Sequence, residues 1–187
     1  HPSLRGMDYE RFEATRRLTE GSCLQAKMLW DLQRALDYLV TRREVDSRRL
    51  GCLGHSLGGQ EALFLCAVDR RIAAGVSSCG FSSYQAIFNG ALLHNFAAYV
   101  PGILRYGGLG RVLGVVAPRP FLILAGADDP LFPLEGVQAT VKEARRTYGT
   151  RARDRLRLEV FPTGHGFTTS MREAAYAWFD RWLKRKR

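Results

Sequence analysis

The chain has 187 residues, of which 46% are hydrophobic and 25% are charged, so its length fits one globular domain and its composition excludes a disordered chain. Its formal net charge of +10 comes mostly from arginines scattered in pairs. A nucleic-acid binder more often concentrates its charge with interleaved aromatic residues, so we expect no nucleic-acid partner. The longest apolar runs are far shorter than the roughly 20 residues of a membrane-spanning helix, so we expect no membrane partner either.

Hydrophobic periodicity predicts the elements in chain order. Residues 1–20 are polar, have no clear period and are predicted to be extended chain with room for one short helix. Apolar residues at spacings of three and four predict an amphipathic helix over 23–43. The remaining predicted elements are a strand at Leu50–Leu53, a helix at 57–69, a strand at Ile72–Cys79, a helical excursion without strands at about 81–118, a strand at Pro120–Gly126, a helix at Leu134–Tyr148, an outer strand at Leu156–Phe161 and a helix at 168–185.

This succession of elements predicts a right-handed, mostly parallel α/β sheet with flanking helices, forming a single domain over residues 1–187. Only four strands are predicted. Small polar residues end the second strand, and in open α/β sheets ligands bind beyond the carboxyl ends of the strands. We therefore expect the functional residues to follow the strand ends.

A G-x-S-x-G pattern, formed by Gly54, Ser56 and Gly58, lies between the first predicted strand and its helix. On such a sharp turn a serine is held in a strained backbone conformation with its Oγ clear of the sheet. The flanking glycines lack a Cβ, so strand and helix can approach closely. The pattern predicts Ser56 as a nucleophile and the Leu57 N–H, at the start of the helix, as one donor to an oxyanion.

A carboxylate and then a histidine follow in chain order, each after a predicted strand. The loop after the third strand contains Asp128 and Asp129; we choose Asp129 as the acid that orients an imidazole, and Asp128 is the alternative. His165 lies between two glycines after the fourth strand and is the only histidine after the acid. The order serine, acid, histidine predicts a catalytic triad of Ser56, Asp129 and His165.

Aromatic residues of the excursion are expected to lie over the site and to line an apolar pocket. Phe81, His94 and Tyr99 are the predicted substrate-binding residues of this segment, together with His55 beside the nucleophile. For His55 we expect packing rather than proton transfer. For His94 we expect a place in the pocket wall or a structural role.

The four cysteines, Cys23, Cys52, Cys66 and Cys79, show no C-x-x-C spacing. They are interpreted as small buried hydrophobic residues of a reducing compartment, which predicts a cytoplasmic protein without a disulfide framework. No cluster of histidines and carboxylates indicates a metal site. We expect no cofactor and no metal.

Several stretches together resemble the α/β-hydrolase superfamily, and most of all its dienelactone-hydrolase-like and esterase-like branch. They span about residues 22–180 and are Trp30–Leu39, Gly54–Gly59, Tyr99–Gly102, Ala117–Pro120, Gly126–Pro133 and Gly164–Phe167. Dienelactone hydrolase itself carries a cysteine nucleophile, whereas Ser56 here implies ordinary esterase chemistry. The resemblance also implies N-terminal strands and an oxyanion loop that have no counterpart in this sequence, so the chain is expected to be the C-terminal portion of such a domain.

The leading functional prediction is a serine hydrolase that cleaves small-molecule carboxylic esters through an acyl-enzyme. One alternative is a peptidase of the same superfamily that acts on short peptides. The other is a truncated, non-catalytic module for binding or assembly, because an unpaired strand edge near Leu50–Leu53 would favour pairing with an upstream segment or with another copy of the chain as a homo-oligomer.

Overall fold

The computed structural model describes residues 3–184, which form one sheet of four strands with helices on both faces. In chain order the elements are α1 (Gly6–Thr19), α2 (Leu24–Val40), β1 (Leu50–His55), α3 (Leu57–Val68), β2 (Ile72–Ser78), α4 (Tyr84–Asn89), two short 3-10 turns (Phe96–Ala98 and Ile103–Tyr106), α5 (Gly108–Val115), β3 (Phe121–Gly126), α6 (Leu134–Tyr148), a 3-10 turn (Arg153–Arg155), β4 (Leu156–Phe161) and α7 (Thr169–Leu183).

The four strands are parallel and adjacent in chain order, β1-β2-β3-β4. Every residue of β3 is buried, as expected for a central parallel strand covered on both faces. β4 has exposed residues at Arg157 and Val160 and one buried residue, Leu156, as expected for an outer strand. Within the described residues β1 bonds to β2 alone and forms the other outer edge. The predicted parallel α/β architecture is confirmed.

Two apolar layers cover the two faces of the sheet. On one face α3, α5 and α6 contribute buried side chains such as Leu63, Leu113 and Val141 to the larger core. On the other face α7 packs Met171 and Trp178 against β2 and β3. Because the flanking helices hold the strands in register, the strand ends that carry the predicted site residues are fixed relative to one another.

The first helix corrects the prediction for residues 1–20. α1 has 14 residues, where the sequence predicts extended chain with at most one short helix. In α1 the residues spaced three and four apart that interact are charged rather than apolar. Arg16 pairs with Glu13 at 2.9 Å and with Glu20 at 3.0 Å. Ala14 packs with Leu24 of α2, so this contact between helices stabilises α1 although its sequence has no apolar periodicity. Polar periodicity of this kind escapes a search for apolar periodicity.

The segment between β2 and β3 consists of short helices, namely α4, two 3-10 turns and α5. It lies on the same side as α3 and α6, and its Tyr84 and Leu109 belong to the larger core. In residues 3–184, no helix combines the length and the apolar character that crossing a membrane requires.

A buried polar network connects α2, α3 and the first 3-10 turn. Gln60 donates to Gln25 at 2.8 Å and to the Ala97 carbonyl at 3.0 Å, and Gln25 donates to Glu61 at 2.9 Å. The second carboxyl oxygen of Glu61 is buried without a partner among the described residues. Burial raises the pKa of Glu61 to about 7, against the hydrogen bond from Gln25, which lowers it.

Replacing Glu61 with glutamine is expected to flatten the pH dependence of stability. Because the pKa of Glu61 in the fold lies above the ordinary value of 4.5, the folded state binds the proton more tightly than the unfolded chain does. The stabilisation that the folded state gains from binding this proton is therefore complete at low pH and is lost as the pH rises towards 7. The stability of Glu61→Gln relative to the parent should rise by up to about 3 kcal/mol between acid pH and pH ~8.

Urea unfolding at several pH values measures this difference directly. The comparison within each pH cancels the titration of all other groups. A difference between variant and parent that stays constant across the range would contradict the assignment.

Candidate active site

The carboxyl ends of the strands bring the predicted residues to one edge of the sheet. Ser56 follows β1 directly, Asp129 lies in the loop after β3, and His165 lies in the loop after β4. The two later loops are joined by backbone hydrogen bonds, in which Ala127 donates to the Phe161 carbonyl at 2.8 Å. Three strands of one parallel sheet thus bring together three side chains that are far apart in sequence.

Ser56 lies on a strained turn. Its φ of +57° and ψ of −125° are unfavourable for a residue with a side chain. The turn is held from both sides, because the Ser56 N–H donates to the Ser78 carbonyl at 2.9 Å and the Ser56 carbonyl accepts from Gly59 N at 2.9 Å. The strain is therefore imposed by the junction of β1, β2 and α3, and it points the side chain away from the sheet.

The two glycines of the pattern have different steric surroundings, which gives a matched pair of variants. A Cβ built on Gly54 would overlap the Gly58 carbonyl, whereas a Cβ on Gly58 would meet nothing within 4 Å. Gly54→Ala should therefore lower the free energy of unfolding by at least about 3 kcal/mol, because a backbone atom must move. Gly58→Ala should stay within about 1 kcal/mol of the parent, since alanine is the better helix former.

Thermal and urea unfolding of the two variants, followed by circular dichroism, measure this difference. Equal stability of Gly54→Ala and Gly58→Ala would show that the turn tolerates a Cβ where the structure has no room for one.

A continuous hydrogen-bond chain connects the three residues. The Nε2 atom of His165 lies 2.8 Å from the Ser56 Oγ, and its Nδ1 atom lies 2.9 Å from Oδ2 of Asp129. The Asp129 side chain is buried, whereas the ring of His165 is partly exposed. This geometry fits an imidazole that donates its Nδ1 proton to the carboxylate and accepts the serine proton at Nε2.

The structure brings Asp129, and not Asp128, to the histidine. Asp128 is exposed, and its backbone N–H donates to the Thr163 carbonyl at 3.1 Å. Oδ1 of Asp129 accepts from the backbone of Leu131 at 2.9 Å and of Phe132 at 3.2 Å, which leaves Oδ2 facing the ring. Burial acts to raise the pKa of Asp129, but the bonds from His165 and these two amides outweigh it and lower the pKa below its ordinary value.

Leu57 begins α3 immediately after the nucleophile. The first N–H groups of a helix have no acceptor within the helix and lie at the positive end of its dipole. The side chain of Leu57 is half-buried and packs against the small core of Ala14, Leu24 and Ala97, so the start of the helix is packed in place. The position fits the oxyanion donor predicted for the Leu57 N–H.

The ring of His55 lies against that of His165 without joining the hydrogen-bond chain. Its ring is centred 4.9 Å from that of His165 and stacks on Phe167 at 5.8 Å, and its Nδ1 lies 3.2 Å from the Ser78 Oγ. Burial, followed by the nearby charge of His165, lowers the pKa of His55. A neutral, packed His55 agrees with the expected packing role.

His94 forms an aromatic wall next to the site. Its ring stacks on Phe132 at 4.6 Å, and Phe132 in turn lies 5.7 Å from the ring of His165. The backbone N–H of His94 donates to the Tyr99 hydroxyl at 3.2 Å. Tyr99 lines a largely apolar cavity of about 430 Å³ with Tyr84, Phe88 and neighbouring residues of the excursion. Neither Ser56 nor His165 lines this cavity, and the contacts from Tyr99 through His94 to Phe132 link its wall to His165.

Phe81 differs from its prediction. Its side chain is 2% exposed and belongs to the larger core, so it offers no surface to a substrate. Phe81 follows the end of β2, and its apolar ring is buried in the core rather than exposed to solvent. The sequence does not identify Phe132 and Phe167 as residues of the site. Phe132 lies in the loop of Asp129, and Phe167 lies in the loop of His165.

Cys79 lies beside the acid and the histidine at the end of β2. It has a positive φ of +43°, and burial raises the pKa of its thiol to about 11. In the described part of the chain, Cys79, Asp129 and His165 have candidate metal-ligand atoms within 4.8 Å of one another. Asp129 and His165 already use the facing atoms to bond each other, so a metal here would have to break that bond.

Comparison with known proteins identifies the family to which this chain is similar. The model of the prolyl oligopeptidase family matches residues 25–186. A curated relative, the "Putative hydrolase YtaP" of Bacillus subtilis (strain 168), is 33% identical over 169 residues, which are 89% of this chain and 56% of that protein. The chain therefore spans about half the length of this relative.

Solved structures share the fold. "Methylesterase BT1017" matches with a TM-score of 0.64 and 25% identity, over 82% of this chain and 34% of that chain. A puromycin-hydrolyzing peptidase of Mycobacterium tuberculosis matches with a TM-score of 0.66 and 23% identity, over 85% and 26% respectively. The predicted α/β-hydrolase superfamily is confirmed, and the similar solved structures include esterases. The chain belongs to the prolyl oligopeptidase family, a family of α/β-hydrolases.

Proposed function

We propose that this hydrolase cleaves carboxylic esters with Ser56 as nucleophile, His165 as general base and acid, and Asp129 as the group that orients the histidine. The observation that carries the proposal is the hydrogen-bond chain from Asp129 to His165 at 2.9 Å and from His165 to Ser56 at 2.8 Å. Nucleophile, base and orienting acid at these distances are what acyl transfer requires.

The chemistry follows from the positions of the protons. His165 takes the Ser56 proton at Nε2 while Oγ attacks the ester carbonyl, and Asp129 stabilises the imidazolium that forms. The Leu57 N–H donates to the oxyanion of the tetrahedral intermediate. His165 then protonates the leaving alcohol, which leaves an acyl group on Ser56. Water activated by the same histidine releases the acid and restores the serine.

The substrate side of the site is aromatic and apolar. Phe132, on which the His94 ring stacks, lies 5.7 Å from the ring of His165, and Tyr99 lines the apolar cavity of the excursion. His55 bounds the site on the side of Phe167. These surfaces support a small-molecule ester with an apolar or aromatic group, since they offer contact area and few polar partners.

Peptide cleavage is the second candidate. It is favoured by the family model, which is that of an oligopeptidase family, and by the peptidase among the similar structures. The same three residues would serve, with the amine of the peptide bond as leaving group. The two candidates differ in the transition state that the surrounding site stabilises, so relative rates distinguish them.

The distinguishing experiment compares p-nitrophenyl esters of increasing acyl length with p-nitroanilides of short peptides, on the intact protein. Protein inactivated by a fluorophosphonate serves as the blank. The proposal predicts that kcat/KM for the better ester exceeds that for every peptide anilide. A preference for the peptide substrates would replace ester cleavage by peptide cleavage, and activity on neither class would favour a non-catalytic binding module.

The open edge of β1 supports a proposal about assembly. Within the described residues this strand bonds on one side alone, and Leu53 is 38% exposed. An unpaired edge is a template for another strand. We propose that a segment upstream in the whole protein pairs here, because YtaP is almost twice as long as the matched region. A dimer of this chain that dissociates when Leu53 is replaced by lysine would instead identify a second copy as the occupant.

A further inference from the structure

Two cysteines outside the active site lie close together. The Sγ atoms of Cys52 in β1 and Cys66 in α3 are 3.3 Å apart, although the residues are 14 positions apart in sequence. Both are free thiols in the structure. The two positions flank Ser56, one on the strand before it and one in the helix after it.

The two thiols differ in their access to solvent. Cys66 is 1% exposed, whereas Cys52 is half-buried on the outer strand. The hydrogen bond with Cys52, together with burial, raises the pKa of Cys66 well above its ordinary value. A reagent therefore meets Cys52 first, and Cys66 is positioned behind it as the second thiol.

We propose that Cys52 and Cys66 form an oxidation site at which a low-molecular-weight disulfide converts the two thiols into one intramolecular disulfide. The thiolate of Cys52 attacks one sulfur of the oxidant and releases one small thiol. Cys66 then gives up its proton to the released small thiolate, attacks the mixed disulfide at Cys52 and releases the second small thiol. Two protein thiols are oxidised and one small disulfide is reduced to two thiols, so the exchange balances.

The geometry requires only a small movement. The sulfur atoms must approach from 3.3 Å to the roughly 2.05 Å of a disulfide bond. The bond would fasten β1 to α3 and close a ring that contains Ser56.

The other cysteines provide a test of selectivity. Cys79 lies on the opposite face of the sheet in the layer formed with α7, and Cys23 precedes α2. Both are buried. Native protein treated with oxidised glutathione should therefore yield one disulfide that joins the peptides of Cys52 and Cys66, with both remaining cysteines alkylated after unfolding.

Peptide mapping without reduction measures this product, and intact mass should show the loss of two hydrogen atoms. Cys52→Ser should abolish the product, and Cys23→Ser should leave it unchanged. A stable glutathione adduct on Cys52 with Cys66 still free, or a disulfide that involves Cys23 or Cys79, would overturn the proposal.

Thermal unfolding provides a second readout that does not depend on the enzymatic activity. The oxidised parent should unfold at a temperature about 5 °C higher than the reduced parent, because the bond restricts the unfolded chain, and dithiothreitol should reverse the shift. Cys52→Ser should show no such shift. An oxidised parent that carries the disulfide but unfolds at a lower temperature would overturn the inferred fastening of β1 to α3.

Discussion

Ser56→Ala is expected to lower kcat for ester hydrolysis by about 10⁶-fold, and His165→Ala by a similar factor. Each removes one end of the 2.8 Å hydrogen bond through which the serine proton must leave. Without Oγ there is no acyl-enzyme, and without the imidazole the hydroxyl is not activated. KM should change far less than kcat, since neither side chain forms the aromatic wall.

The double variant gives a sharper expectation than either single one. Because Ser56 and His165 act as a unit, removing both should cost no more than removing one. Circular dichroism and unfolding midpoints of the three proteins provide the control for folding. If the two losses multiplied instead, the residues would act independently and the proposed proton transfer would be wrong.

Asp129→Asn is expected to lower kcat by about 10⁴-fold with little change in the fold. The amide oxygen can keep the two bonds from Leu131 and Phe132, and the amide nitrogen then faces the ring. A donor at that point favours the tautomer of His165 that carries its proton on Nε2. In that tautomer the ring cannot accept the proton of Ser56.

Asp128→Asn is the matched control, because the two acids are adjacent in the chain. Asp128 is exposed, and its bond to Thr163 uses the backbone N–H, which the substitution keeps. Its kcat should stay within about twofold of the parent, as for an ordinary surface change. Equal losses for the two variants would contradict the assignment of Asp129 as the orienting residue.

Chain order and strand ends were sufficient to predict which three residues the structure brings together. Ser56, Asp129 and His165 each follow a strand of a parallel sheet, and in such a sheet the carboxyl ends share one edge. The sequence alone does not distinguish the roles of the adjacent Asp128 and Asp129. The distinction depends on which carboxylate is turned inward by backbone amides, and that is a property of the folded loop.

Features that depend on contacts between distant segments could not be predicted in this way. α1 has its helical period in charged pairs such as Arg16 and Glu13. Phe81 and Tyr99 are both aromatic residues of the segment after β2, yet Phe81 is buried in the core whereas Tyr99 lines a cavity. The proximity of Cys52 to Cys66 likewise follows from the packing of α3 on β1, which no spacing rule for cysteines anticipates.

The central claim is that Ser56 is the activated nucleophile, and covalent labelling tests it most directly. The intact protein is treated with a fluorophosphonate, digested, and the modified residue is located by mass spectrometry. We predict a single modification on Ser56, lost in Ser56→Ala and strongly slowed in His165→Ala, while Asp128→Asn labels like the parent. A folded protein that remains unlabelled, or that is labelled at another residue, would contradict the account.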